Sequence, residues 1–177
     1  PKWLVLGTSV LTFSVGIINA VVLMNHHGEA ASHMTGNLTN LAISLSDINI
    51  KSRELAFFIL AFLGGACLSG AVIGDANFKL GRRYGVALII QSGIIFAGYF
   101  FLNRLNILGA YLLATACGLQ NAMISTYSGA TIRTSHVTGV VSDLGSLLEN
   151  LLSRRKIDFR HALLLILIFI GFFSGCF

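Results

Sequence analysis

Gly16-Ile17-Ile18-Asn19-Ala20, followed by Ser32-His33-Met34-Thr35-Gly36, returns later in the same order as Gly118-Leu119-Gln120-Asn121-Ala122 and Ser135-His136-Val137-Thr138-Gly139. The echo continues, since Thr39-Asn40-Leu41 falls on Ser142-Asp143-Leu144 and the pair Ala66 and Gly70 falls on Gly171 and Gly175. The offset is 102 from Gly16 to Gly118, 103 from Ser32 to Ser135 and 105 from Ala66 to Gly171, a drift that small loop insertions explain. One five-residue echo is within chance, but three in register read as an internal repeat with halves at 1–106 and 107–177. The first half runs on through a further apolar segment, Gly85 to Leu102, whose counterpart would lie past Phe177, so the second repeat is expected to be incomplete at its C-terminus.

The composition around these motifs admits one kind of solvent. Of 177 residues, 55% are hydrophobic and 11% charged, whereas a soluble domain carries about 25% charged residues to cover its surface. The same numbers exclude a disordered chain, a collagen, a coiled coil and a disulfide-stapled secreted scaffold. Cys67, Cys117 and Cys176 lie singly inside apolar runs without paired spacing, so neither a disulfide framework nor a metal site is expected. The net charge of +5 comes from short Lys and Arg clusters between apolar runs. That is the pattern of loops at an anionic membrane face rather than of a nucleic-acid surface.

A spanning helix takes about 20 predominantly apolar residues. Trp3 to Met24, Leu55 to Gly74, Gly85 to Leu102 and Ile107 to Ile124 qualify, and a fifth run begins at His161 and is still apolar at Phe177. The first is long and is not followed by a cleavage site and a polar domain, so it reads as a retained helix rather than a signal peptide. The expected fold is an all-α polytopic membrane protein in which each repeat has a full span followed by a broken or re-entrant helix.

The broken elements are Met34 to Ile50 and His136 to Leu152, amphipathic stretches interrupted by Thr, Asn, Ser, Asp and Gly and each preceded by some ten turn-forming residues. Irregular backbone at membrane depth is tolerated only where protein buries it or it lines a wet cavity. A helix starting at Thr35 or Thr138 leaves its first amides unpaired at the positive end of the helix dipole. A hydroxyl can cap one and an anionic or polar ligand can take the others, while Gly36 and Gly139 permit close approach. If both stretches are re-entrant, three crossings separate the repeats and the halves are inverted; if both cross, the halves are parallel. The positive-inside count is eight against three either way. The re-entrant arrangement puts Lys2, Lys79, Arg82, Arg83, Arg154, Arg155, Lys156 and Arg160 inside, and the crossing one exchanges the Lys79 cluster for Lys51, Arg53 and Arg104. Transporter precedent favours inversion.

Gly118-Leu-Gln-Asn-Ala122, Ser32-His-Met-Thr-Gly-Asn37 and the second Ser-His-Val-Thr-Gly followed by Asp143-Leu144-Gly145 resemble the YoaK-like family of bacterial integral membrane proteins, a domain of unknown function. The resemblance covers essentially the whole chain and implies a helical inner-membrane protein of somewhat more than 200 residues with about six spans. It implies no substrate. Family members often carry Asp where this chain has Asn19.

The polar residues inside this apolar frame each have two readings. Asn19 and Asn121, with Gln120 beside the latter, sit at matching places in apolar helices, where they either bridge helices or line a pocket. His33 and His136 precede the two Thr-Gly starts and could donate to an anion, shuttle a proton or cap backbone. Arg133 and Asp143 are the charges expected at membrane depth, as anion attractor and coupling carboxylate or as a structural pair. His26, His27, Glu29 and His33 offer zinc-ligand chemistry, but adjacent histidines do not readily face one ion and the second half has no counterpart, so an exposed or interfacial loop is the expectation. Ala66, Gly70 and Gly74, and Gly171 with Gly175, form small-residue ladders for helix packing in the monomer or at a homodimer seam.

No nucleophile elbow, Walker loop, dinucleotide fingerprint or zinc-protease motif occurs, so no enzyme activity and no cofactor are expected. The functional expectation is a transporter-like protein that holds a small anionic or polar solute at a midplane site between two broken helices. Asn19, His33, Thr35, Gly36, Asn37, Gln120, Asn121, Arg133, His136, Thr138, Gly139 and Asp143 would form that site. The alternative is an accessory or structural subunit of a larger membrane complex. Expected partners are the lipid bilayer, the solute and a homodimer mate or larger assembly, not nucleic acid.

Overall fold

The computed structural model describes residues 2–25, 29–45, 50–74, 81–127 and 136–177. Its described residues form seven helices: α1 (Lys2–Asn25), α2 (Met34–Ser44), α3 (Ile50–Ile73), α4 (Arg82–Leu102), α5 (Ile107–Tyr127), α6 (Val137–Leu152) and α7 (Phe159–Cys176). All but α2 and α6 are long and apolar enough to cross a membrane. Among the described residues the fold is all-helical, and its five long apolar helices are those of an integral membrane protein.

Helix boundaries depart from the hydropathy reading in instructive ways. α3 begins at Ile50 rather than Leu55, because Lys51, Arg53 and Glu54 depress an apolar window while remaining good helix formers. α2 stops at Ser44 instead of running to Ile50. α7 starts at Phe159, where the Asp158 carboxylate accepts from the Arg160 and His161 amides and supplies an acidic cap to the helix start.

Packing divides the chain into two compact units, 18–133 and 1–17 with 134–177. In the first, α5 is the central helix: 61% of its apolar window is buried, against 22% for α3 and for α4. The α3 and α5 helices run in the same direction, since Phe58 meets Tyr111 edge-on with ring centroids 5.1 Å apart and, further along both, Gly65 lies against Thr115 and Leu119. A Cβ at Gly65 would overlap the Thr115 carbonyl, and one at Gly118 would overlap the Phe62 carbonyl. Two missing side chains thus bring two backbones together, the small-residue packing expected where lipid supplies no hydrophobic drive. α4 runs antiparallel to α5, with Leu102 beside Gly109, Gly98 beside Leu113 and Gln91 paired with Gln120.

In the second unit, α7 runs parallel to the first part of α1. A Cβ at Gly171 would meet the Ser9 carbonyl at 3.1 Å, and one at Gly175 would overlap the Phe13 carbonyl and reach the Ile17 amide at 3.1 Å. The Cys176 thiol donates to the Gly16 carbonyl at 3.4 Å. The ladder on α7 therefore packs within its unit. On α3 the crossing within the unit is made by Gly65, whereas a Cβ added at Gly70 would meet nothing within 4 Å. Both glycines satisfy the same spacing rule, and only the rotation of α3 about its axis decides between them.

Candidate functional site

Between α1 and α2, residues 29–33 are irregular backbone and mostly inside the protein. Glu29 is 3% exposed, Ala30 6%, Ala31 0% and Ser32 8%. Buried irregular backbone needs partners for its polar groups, and the sequence supplies two amides. The Asn19 Oδ1 on α1 accepts from both the amide (3.1 Å) and hydroxyl (3.0 Å) of Ser32. The Asn37 Nδ2 on α2 donates to the Ala30 carbonyl at 3.0 Å. Asn19 and Asn37 thereby hold this segment against the helix on either side of it.

The first turn of α2 follows at once. His33, not Thr35, is the capping residue, with φ −89° and ψ 65°, and its ring makes no capping hydrogen bond. The ring lies over Gly36, where a Cβ would run into it. The Asn37 amide bonds back to the His33 carbonyl at 3.0 Å, and Thr39 Oγ1 donates to the Thr35 carbonyl at 2.9 Å. Thr35 is exposed and Gly36 half-buried.

The start of α6 has the same construction. His136 caps it with φ −94° and ψ 61°, makes no side-chain cap bond, and lays its ring where a Cβ of Gly139 would be. The Val140 amide bonds to the His136 carbonyl at 3.2 Å, and Ser142 Oγ donates to the Thr138 carbonyl at 3.0 Å. The run of exposed, half-buried and buried positions from His33 to Leu45 recurs unchanged from His136 to Leu148. The expected helix starts at Thr35 and Thr138 are thus corrected to Met34 and Val137, with each Thr in the second helical position. One position differs in kind: Val140 stands where α2 has Asn37, so the amide tie to the preceding segment belongs to α2 alone.

The remaining site residues lie as follows. Gln120 is fully buried on α5 and accepts a short hydrogen bond from Gln91 Nε2, which ties α4 to α5. Asn121 is half-buried on α5 and also interacts within the protein. Asp143 is exposed on α6. Arg133 and Ser135 lie outside the described residues, as do His26 and His27.

Gln91 and the burial of Glu29 escaped sequence reasoning. Gln91 lies midway along an apolar span and could have been found by the rule that singled out Asn19. Glu29, expected in an exposed or interfacial loop, is buried, and with Glu54 it falls within electrostatic reach of Tyr111. Nothing local in His26-His27-Gly28-Glu29 announces that burial, which comes from distant elements. Among the described residues no group of His, Cys, Asp and Glu could hold a metal ion.

The starts of α2 and α6 can do similar chemistry. Each offers first-turn amides, a Thr hydroxyl and an imidazole at the positive end of a helix. That set suits carboxylate, phosphate-like or neutral polar groups better than bare cations.

A family model described as a protein of unknown function, DUF1275, matches residues 7–177. No curated protein and no solved structure matches the chain.

Proposed function

The chain belongs to the DUF1275 family, and we propose that it is a transporter-like protein of the bacterial inner membrane that binds a small anionic or polar solute, a chemistry for which the start of α2 and the start of α6 are each equipped. The YoaK-like resemblance is the narrower reading within that family. The observation that carries the proposal is the shared construction of the two caps, down to histidine torsions, glycine-accommodated rings and the pattern of exposure. Two helices that share so much beyond what helix formation requires are best read as two copies of one repeated design. In this reading His33, Thr35 and Gly36 at one start, and His136, Thr138 and Gly139 at the other, are the solute-binding groups. Asn19, Asn37 and Gln120 hold the frame.

Helix directions support an inverted-repeat topology of the kind transporters use. Spanning helices reverse direction at each crossing, and α1 and α7 run parallel. With α1, α3, α4, α5 and α7 as spans, α2 and α6 must therefore both cross or both turn back. The 11 residues of α2 reach about 16 Å, well short of a hydrocarbon core of about 30 Å. With α2 turning back, three crossings precede α5, and we read the halves as inverted.

Impermeant maleimide labelling of single cysteines in oriented vesicles checks this topology. Arg104→Cys and Ser153→Cys are expected to react from opposite faces, whereas reaction from one face would mean that α2 and α6 cross.

Solute binding is tested by thermal stabilisation of the purified protein across inorganic phosphate, sulfate, dicarboxylates and neutral polar metabolites. A bound ligand at a hundredfold excess over its Kd is expected to raise Tm by about 5–10 °C, with the shift lost in Thr35→Ala and Thr138→Ala. No shift with any compound, or shifts indifferent to both substitutions, would leave the accessory-subunit reading in possession.

A further inference from the structure

The α3, α4 and α5 helices share a polar layer that the solute contacts leave unused. Gln91 on α4 donates its Nε2 to Gln120 on α5, and both side chains are buried. That bond takes the amide nitrogen of Gln91 and leaves its Oε1 buried with no hydrogen-bond partner among the described residues. The hydroxyl of Ser69 on α3, 1% exposed, is in the same condition. We propose that Ser69 and Gln91 anchor an internal site for one small neutral hydrogen-bond donor, and that its occupant is a water molecule.

Register brings the two anchors to one level. Ser69 follows Gly65 by about one turn on the buried face of α3, and Gly65 lies against Thr115 and Leu119. Parallel packing then sets Ser69 at the turn of α5 that carries Gln120, to which Gln91 is bonded from α4. The α3 and α4 helices are also tied directly, because Arg83 Nη1 donates to the Ile73 carbonyl at 3.2 Å, one turn beyond Ser69. The hydroxyl itself behaves unusually for this chain. Thr12, Ser92 and Thr115 each donate to the carbonyl four residues back in their own helix, the common way for a hydroxyl inside a span to satisfy itself. Ser69 makes no such bond, so its oxygen is left to a partner outside α3.

Charge selects the occupant. The charged residues of the three helices are Lys51, Arg53 and Glu54 in the first turns of α3 and Arg82 and Arg83 at the start of α4. Gln91 lies about 12 Å along the axis from Arg83. An ion in this layer would lose its hydration with no opposite charge beside it, a cost that two neutral dipoles do not return. A water molecule carries no such cost. It donates one O–H to Gln91 Oε1 and shares a hydrogen bond with Ser69 Oγ, satisfying two buried groups at once. The bridge extends the α4–α5 tie to α3 and joins three spans through one polar layer.

The probe is water itself, followed by solid-state NMR of the isotope-labelled full chain in lipid bilayers. Gln91 and Gln120 are the only glutamines of the chain, so their side-chain amide signals are readily assigned. Magnetisation from water protons is expected to reach the Gln91 side-chain amide in the wild type and to fall several-fold in Ser69→Ala, with gel filtration confirming that the variant is folded. Melting supplies an independent sign. Removing a buried hydroxyl that holds nothing would stabilise the protein, whereas removing one that anchors a water costs a hydrogen bond. Ser69→Ala is therefore expected to melt about 2–4 °C below Ser92→Ala, an exposed position that makes the same gain in helix propensity. No water transfer to Gln91 in the wild type, transfer undiminished in Ser69→Ala, or melting of Ser69→Ala at or above Ser92→Ala each overturns the proposal. None of these readouts involves the starts of α2 and α6, so the ligand panel can fail while the water site stands, and the reverse.

Discussion

Replacing Gly118 with leucine is expected to yield little or no monodisperse protein, and any that survives should melt roughly 6–12 °C below the wild type, the equivalent of about 3 kcal/mol or more. The cause is the α3–α5 crossing. A side chain at position 118 would enter the Phe62 carbonyl and approach the Phe62 Cα at 3.0 Å, and the reciprocal contact puts Gly65 against Thr115 with the Leu119 amide 2.9 Å from its would-be Cβ. These obstacles are backbone, so no rotamer change relieves them, and separating the helices would strip the buried faces of the central helix. Gly70→Leu is the matched control. It lies on the same α3 helix at a position where an added Cβ would meet nothing within 4 Å, and its effect should stay within about 0.5 kcal/mol. Thermal melts of both variants decide the matter, and equal melting would mean that the close crossing does not exist.

Asn37→Val should produce the next largest loss, about 1–3 kcal/mol, because the Ala30 carbonyl would keep its burial and lose its donor. The substitution imports the residue that α6 carries at the corresponding position, Val140, so the helix itself should tolerate it. What should fail is the tie between α2 and the segment before it. Hydrogen exchange at the Ala31 and Ser32 amides should accelerate while amides late in α3 keep their protection. Asn40→Ala, an exposed neighbour on the same helix, should change neither exchange nor melting. Uniform acceleration throughout the protein would point to general destabilisation instead of a local latch.

These two variants also mark how far the sequence could be read. The five spans were legible because each is a run of apolar residues long enough for the bilayer, a property summed along the chain without knowledge of any neighbour. The two His-x-Thr-Gly starts were legible as helix boundaries for a similar reason, and the structure shifted them by a single residue each. The start of α3 was not, since Lys51, Arg53 and Glu54 are charged yet fully compatible with a helix entering the membrane. Gly65 and Gly70 were indistinguishable by spacing. Among the polar residues, Asn19 and Gln120 could be named as needing partners, but Ser32 and Gln91 could not be assigned to them in advance.

The sequence by itself determined that this chain lives in a bilayer, where its helices lie, and that two matched helix starts interrupt them, because hydropathy and turn chemistry act over a few neighbouring residues. Only the tertiary structure decided which glycines become contacts, which amides are consumed as internal fasteners, and that Glu29 is buried. Those outcomes depend on the rotation of each helix about its axis and on groups brought together from distant parts of the chain, neither of which a local pattern encodes.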